Sequence, residues 1–344
     1  MDTPRNPAGG AARGEHASAG TPKSMLELLT VGRVGVDLYP EQSGVPLKDV
    51  ATFAKSLGGT ATNVAVGASR LGHRAAVLTK VGPDGFGDYV REALTGFGVD
   101  ASYVGTAAGL QTPVVFCELN PPEDPPLTFY RAPIAPDLTI TADDVPWDVV
   151  SDVPVLWVTG TGVSVEPARA TQLEMLARRP RPEPGAGRWT ILDLDWREMF
   201  WPSPDEARAE YDAMLDHVTV TVGNRAEVEV AVGTSDPHEA ADRLLARGVE
   251  LALVKLGGEG VLVATADGAT VVPPHPVEVV CGLGAGDAFG GALVHGLLSG
   301  WEPARCAEYA NAAGALVASR LACADAMPTV AELDEMISAR GARA

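Results

Sequence analysis

The chain is expected to fold as an α/β protein: a mainly parallel sheet flanked by helices, with a small second β-sheet. Three observations lead there. Short runs rich in Val, Leu, Ile and Thr alternate with longer segments of helical periodicity, the pattern of strands joined by crossover helices. Glycine-rich turns open helices at 58–60 and 282–286. Two stretches, 37–50 and 102–131, break the alternation with strand-like patches that carry Pro and Gly and no helix.

Residues 1–24 are rich in Ala, Gly, Pro and Thr with almost no large apolar side chain, so they are expected to be a disordered tail, with the folded region spanning 25–344. Strands are expected over 26–36, 75–81, 155–159, 189–194, 218–222, 251–256 and 261–264. Helices are expected over 60–71, 86–97, 166–178, 205–215, 226–232, 236–247, 288–298, 304–319 and 330–339. Within 102–131, segments 112–119 and 127–130 have the pattern of an antiparallel pair, so a lid sheet over the strand ends is expected from 37–50 and 102–131.

The 344 residues are 46% hydrophobic and carry a formal charge of −19. That is enough apolar material for a large core, and an acidic surface disfavours nucleic acid and anionic membranes as partners. Any anionic ligand must therefore be held by local arginines, lysines or backbone N–H groups. Cys117, Cys281, Cys306 and Cys323 form no CxxC pair, and no signal peptide or membrane-length apolar run is seen, which together suggest the reducing cytoplasm. The six histidines show no metal-ligand spacing.

The most telling segment is Cys281-Gly282-Leu283-Gly284-Ala285-Gly286-Asp287-Ala288-Phe289. A small-residue turn entering an apolar helix leaves N–H groups at a helix start, an anion site. The acid in it suits a base that takes a proton from a hydroxyl while Gly284, Ala285 and Gly286 offer N–H groups to a phosphoryl group. The bland alternative is tight packing with Asp287 as a cap. No Lys-Ser or Lys-Thr follows, so this is not a Walker A loop, and Asp287 occupies the third glycine position of a dinucleotide fingerprint.

Four further groups accompany it. Gly58 and Gly59 open a small-residue helix with Asn63 in its first turn, and Asp37 lies beyond the first strand, where ligands of α/β sheets bind. Asn224 and Glu227 share a helical face, either as a capping box or as a water-mediated Mg²⁺ site. The segment Lys255-Leu256-Gly257-Gly258-Glu259-Gly260 is a hairpin turn or a backbone on which a nucleotide lies, with Lys255 solvated or on a phosphate. Arg131 and Arg197 are candidate partners for a carboxylate, with pairing to Asp193 or Asp195 or neutralisation of a nucleotide phosphate as alternatives.

These segments, with Val81-Gly82-Pro83-Asp84-Gly85-Phe86-Gly87 between them, resemble the ribokinase family of sugar kinases in family order from about residue 25 onward. The resemblance implies a Rossmann-type ribokinase-like core with a β-sheet lid, ATP and Mg²⁺ as cofactors, and Asp287 as catalytic base. It also implies a nucleotide along 255–260 and near Asn311. Asp193-Leu194-Asp195-Trp196-Arg197 and Phe129-Tyr130-Arg131 are similar to family members acting on keto-deoxy sugar acids. The expected acceptor is 5-dehydro-2-deoxygluconate, with 2-dehydro-3-deoxygluconate or fructose as alternatives. A non-catalytic sugar or nucleotide sensor on the same fold is the reading from another class. A homodimer through the lid strands is expected, since exposed sheet edges invite pairing. The family usually has Asp-Thr where Cys281-Gly282 stand, so the resemblance implies nothing here about monovalent cations.

Overall fold

The computed structural model describes residues 26–341 apart from 43, 124 and 184. The tail expected at 1–24 lies outside the described residues. The chain runs through β1 (Leu28–Val31), β2 (Gly35–Pro40), β3 (Phe53–Gly58), α1 (Thr60–Arg70), β4 (Ala75–Val81), α2 (Gly85–Gly96) and β5 (Val104–Thr106). It continues with β6 (Val114–Cys117), β7 (Leu127–Tyr130), α3 (Trp147–Asp152), β8 (Val155–Thr159), α4 (Ala168–Arg178), β9 (Trp189–Asp193) and α5 (Pro204–Leu215). Then come β10 (Val220–Asn224), α6 (Arg225–Val232), α7 (Pro237–Ala246), β11 (Leu251–Lys255), β12 (Val261–Thr265), β13 (Gly268–Val272), α8 (Ala285–Leu298), α9 (Pro303–Ala318) and α10 (Val330–Gly341).

The large sheet has the order β13-β12-β11-β10-β9-β8-β1-β4-β5. Its strands from β11 to β5 are parallel, and the β11–β12–β13 meander closes one edge antiparallel. Alternate side chains feed two apolar layers. Leu28, Val155, Trp157 and Ile191 pack with α1, α8 and α9, whereas Leu29, Leu156, Val158 and Leu192 pack with α4, α5, α6 and α7. Burial on both faces is why these strands read as continuous apolar runs rather than as alternation.

The second sheet has the order β3-β2-β6-β7, parallel between β2 and β6 and antiparallel elsewhere. The expected pairing of 112–119 with 127–130 is present as β6 with β7. Two expectations are corrected. The single strand at 26–36 is two strands in different sheets, broken at Gly32, whose φ of +140° turns the chain out of the large sheet. Both halves are buried, so hydrophobicity does not mark the break. The segment 102–131 also contributes β5 to the large sheet, and the small sheet gains an unforeseen strand, β3.

Helices α1 and α8 lie side by side. A Cβ on Gly291 would come within 2.9 Å of the Gly67 backbone, and one on Gly290 within 2.7 Å of the Trp157 ring. This approach brings the first turns of the two helices together. Helix α8 begins at Ala285, three residues before the expected start, so Asp287 sits inside its first turn.

Candidate active site

Between the two sheets lies a cleft of about 530 Å³. The small sheet contributes Asp37 of β2, Val115 of β6 and Phe129 of β7; Asp193, Asn224 and Lys255 line it from the carboxyl ends of β9, β10 and β11. This is where ligands of parallel α/β sheets collect.

The centre is the Asn63–Asp287 pair. Asn63 Nδ2 donates to Asp287 Oδ2 at 2.7 Å, joining the first turns of α1 and α8. The Asn63 Oδ1 is buried and takes no bond among the described residues, a spare acceptor at the cleft wall. Burial raises the Asp287 carboxyl to about 6, against the Asn63 hydrogen bond; nearby Asp195 adds to the rise, while Arg33 and Arg197 oppose it. A carboxyl with a pKa close to neutrality is suited to accept a proton.

Ahead of Asp287, Gly284 adopts φ +83°, the left-handed turn that lets the chain enter α8. The anion site is narrower than expected. The Ala285 N–H donates to the Gly282 carbonyl at 3.3 Å, and Ala285 does not line the cleft; Gly284 and Gly286 do. A Cβ on Gly286 would lie 3.4 Å from Lys255 Nζ, so the ammonium stands directly over the helix start. Burial works against that charge, but Glu227, Asp193 and Asp287 hold the Lys255 pKa above its ordinary value. A helix N-terminus under a fixed cation fits a phosphate group.

On the same side, Asn224 and Glu227 form the capping box of α6. The Glu227 N–H donates to Asn224 Oδ1 at 3.0 Å, and the Asn224 N–H to Glu227 Oε2 at 2.7 Å. Both also line the cleft, and Glu227 lies 3.6 Å from Arg197 and 3.9 Å from Lys255. Among the described residues no group of three or more His, Cys, Asp or Glu is placed to hold a metal. The Glu227 carboxylate at the cleft has the oxygen chemistry of an ion like Mg²⁺, which keeps its waters and takes one carboxylate plus ligand phosphates.

On the other side sits Asp37, pushed up to about 7 by burial; Arg33 opposes the shift and Asp287 adds to it. Gly58 lies beneath it outside the cleft lining, and a Cβ there would fall 2.1 Å from the Asp37 carboxylate. Gly59 does line the cleft. Asp195 links the two sides. It receives Arg33 Nη2 at 3.0 Å, Thr60 Oγ1 at 3.2 Å and Thr161 Oγ1 at 2.8 Å, and pairs with Arg197 at 3.2 Å. Burial would raise its carboxyl, but the two guanidiniums and the hydroxyls outweigh burial and hold it low. Its φ of +33° is a conformation few non-glycine residues adopt.

Eleven sequence-derived candidates thus meet in one cleft: Asp37, Gly59, Asn63, Arg131, Arg197, Asn224, Glu227, Lys255, Gly284, Gly286 and Asp287. Gly58, Ala285, Gly257, Gly260 and Asn311 do not line it. Gly257 and Gly260 shape the β11–β12 hairpin, and Asn311 donates to the carbonyls of Val272 and Pro273 at 3.2 Å each. Arg131 and Arg197 are already engaged: Arg131 Nη2 contacts both Asp137 oxygens at 3.0 and 2.8 Å, and Arg197 lies between Asp195 and Glu227. The sequence reading missed Arg33, Thr60 and Thr161. Arg33 was concealed inside the apparently continuous strand at 26–36.

Comparison with known proteins agrees with this architecture. The model of the pfkB family carbohydrate kinases matches residues 25–330. A 5-dehydro-2-deoxygluconokinase of Clostridium perfringens is 31% identical over 321 residues, 92% of this chain and 94% of that protein. A fructokinase from Vibrio cholerae O395, solved with fructose, ADP and calcium, superposes with a TM-score of 0.79 at 26% identity, covering 91% of this chain and 99% of that one. A PfkB protein from Polaromonas sp. JS666 superposes with a TM-score of 0.77 at 25% identity over 90% and 99% of the two chains.

Proposed function

Because the chain belongs to the pfkB family of carbohydrate kinases, phosphotransferases that act on sugars, we propose that it transfers a phosphoryl group from ATP to the terminal hydroxyl of a keto-deoxy sugar acid, 5-dehydro-2-deoxygluconate. The observation that carries the chemistry is the buried Asp287, hydrogen-bonded to Asn63 beside the Lys255–Gly286 cradle. The substrate rests on the relative of that name and on the cations in the cleft of an acidic protein.

ATP with its divalent ion supplies the phosphoryl group and draws charge from its oxygens. The residues of this chain do the rest. Asp37 and the free Oδ1 of Asn63 take sugar hydroxyls. Asp287 accepts the proton of the terminal hydroxyl as its oxygen becomes the nucleophile. Gly286 at the start of α8 and the Lys255 ammonium oppose the negative charge that gathers on the transferred group. Glu227, backed by Asn224, would hold the divalent ion. The small sheet acts as a lid that keeps water from the reacting oxygen.

An ADP-release assay across a panel of sugars and sugar acids tests the reading. The keto-deoxy acid should give the highest kcat/KM; a preference for fructose would leave the kinase in place and remove this substrate. Binding of sugar or nucleotide without turnover would favour the sensor reading.

Glu227→Gln should raise the Mg²⁺ concentration for half-maximal rate more than it raises the KM for the sugar. Its carboxylate both caps α6 and faces the cleft, so the two roles separate in the data. An unchanged Mg²⁺ curve with a lowered Tm would reduce Glu227 to its capping role.

The chain is further proposed to form a homodimer through the small sheet. The face turned away from the cleft carries an aromatic ladder, Phe53 to Phe116 at 5.3 Å and Phe116 to Tyr130 at 5.4 Å, and Tyr130 is 64% exposed. An exposed aromatic at the end of that ladder, on a sheet with open edges, favours self-pairing. Light scattering should give twice the mass of the chain, and Tyr130→Lys should shift it towards the monomer; a wild-type monomer at micromolar concentration would count against the dimer. The four buried, unpaired cysteines and the lack, among the described residues, of any helix able to cross a membrane support a place in the cytoplasm.

A further inference from the structure

We infer that Arg33 is the specificity-determining cation of the acceptor site, the residue that distinguishes a sugar acid from the neutral sugar of the same shape. The inference rests on the sugar-acid reading above and sharpens it by assigning the carboxylate to a residue for which sequence gave no signal.

The four cations lining the cleft are Arg33, Arg131, Arg197 and Lys255. Lys255 and Arg197 both approach Glu227, and Lys255 stands over the start of α8, so these two belong to the phosphate side. Arg131 is turned to Asp137, which is itself buried. Arg33 differs on three counts. It is the cation nearest in effect to Asp37, the hydroxyl-binding acid of the acceptor side. Its hydrogen bonds to Asp195 and Thr60 all use Nη2. Its Nε is buried and makes no bond among the described residues. A guanidinium has five N–H donors, so Arg33 retains donors on Nε and Nη1.

The surroundings enhance what those donors can do. The Arg33 guanidinium lies 5.8 Å from the ring centres of both Phe129 and Phe200. Apolar walls lower the local dielectric and strengthen attraction to an anion. Asp195 is the obvious objection, since it already faces Arg33. But Asp195 also pairs with Arg197, so one carboxylate is shared between two guanidiniums and engages Arg33 through Nη2 alone. Phe129 belongs to the small sheet, so an acid held by Arg33 would meet the lid as well as the core.

The test uses two acceptors: 5-dehydro-2-deoxygluconate and the neutral sugar in which its carboxylate is reduced to a primary alcohol. Only the charge and one oxygen differ. Arg33→Met should lower the acid-over-alcohol ratio of kcat/KM by about ten- to a hundred-fold, the scale of one charge-assisted hydrogen bond. The KM for ATP should stay within about twofold, well short of the tenfold that about 1.4 kcal/mol of lost binding would give. Arg33→Lys, which keeps a cation opposite Asp195 and so protects the fold, should recover part of the ratio but not all of it, because the planar fork is lost. Titration calorimetry with the acid alone should show the same order, wild type then Lys then Met, without turnover. An equal loss on both acceptors would make Arg33 structural, and a rise confined to the KM for ATP would move it to the phosphate side; either overturns the assignment. So would Arg131→Met carrying the whole ratio while Arg33→Met leaves it intact. A wild-type enzyme that prefers the alcohol would overturn the sugar-acid reading itself, and this assignment with it.

Discussion

Replacing Asp287 with Asn should lower kcat by about 10²–10⁴-fold, the usual worth of a general base, while binding of ATP is largely retained. The variant keeps the shape of the first turn of α8 and removes the carboxylate proposed to take the hydroxyl proton. The contact with Asn63 constrains the outcome. At present Asn63 Nδ2 donates to Asp287 Oδ2; an amide at 287 presents its own oxygen to the same donor, so the fold has no reason to move. Thermal unfolding of the variant should therefore stay near that of the wild type or above it, since a buried charge is lost. Unchanged turnover would remove Asp287 from the chemistry.

The same residue predicts a pH profile. Burial raises the Asp287 carboxyl to about 6, and the base is competent only when deprotonated. As pH falls through about 6 the active fraction falls with it, so kcat/KM should drop about tenfold per pH unit below that value, as expected for one essential group in the free enzyme. Asp37, raised to about 7, binds hydroxyls in either protonation state, because a carboxylic acid still offers an acceptor oxygen. Asp37→Asn should weaken sugar binding and leave the limb in place. If the limb persisted in Asp287→Asn, its origin would lie in another group.

The parts of this molecule that sequence reveals are those whose residue types have few alternative explanations. A turn of small residues ending in an acid, a Gly-Gly helix start with Asn63, and an Asn-x-x-Glu pair each impose a local geometry, and all three open on one cleft. The parallel strands were equally visible, because burial on both faces leaves an uninterrupted apolar run. What stayed hidden depends on contacts distant along the chain. Arg33 lies 162 positions from Asp195, and nothing local to either announces the other. The strand break at Gly32 is invisible because both halves are buried, one in each sheet. Gly257, Gly260 and Asn311, expected along a nucleotide, lie outside the cleft lining, at the β11–β12 hairpin and against the Val272 and Pro273 carbonyls. The N–H of Ala285, expected to face a ligand, donates instead to the Gly282 carbonyl within the turn. The N–H groups of a helix start are fixed in number by the sequence, but the turn that precedes them decides which stay free.

Gly282→Ala should raise the KM for the sugar by roughly five- to a hundred-fold, the effect of 1–3 kcal/mol of overpacking. Gly282 stands two residues before the cap of α8, and its N–H donates to the Pro122 carbonyl at 2.7 Å. A Cβ at 282 would lie 2.1 Å from the Glu123 carbonyl oxygen, far inside contact distance, and backbone on that side cannot swing away as a side chain would. The connection between β6 and β7 must therefore lift. That connection carries Glu123, Pro125 and Pro126 into the cleft, and β7 behind it carries Phe129 beside Arg33. Lifting it loosens the acceptor side and admits water to the Asp287 oxygen, whereas Lys255 and Glu227 stand on strands and helices of the large sheet and keep their places. The kinetic signature is the reverse of that for Asp287→Asn: a raised sugar KM, a nearly constant KM for ATP, and more ATP hydrolysis in the absence of sugar. Steady-state kinetics with and without acceptor measures all three. A Gly282→Ala enzyme with the wild-type sugar KM would mean that the contact between hairpin and turn has no part in closing the site.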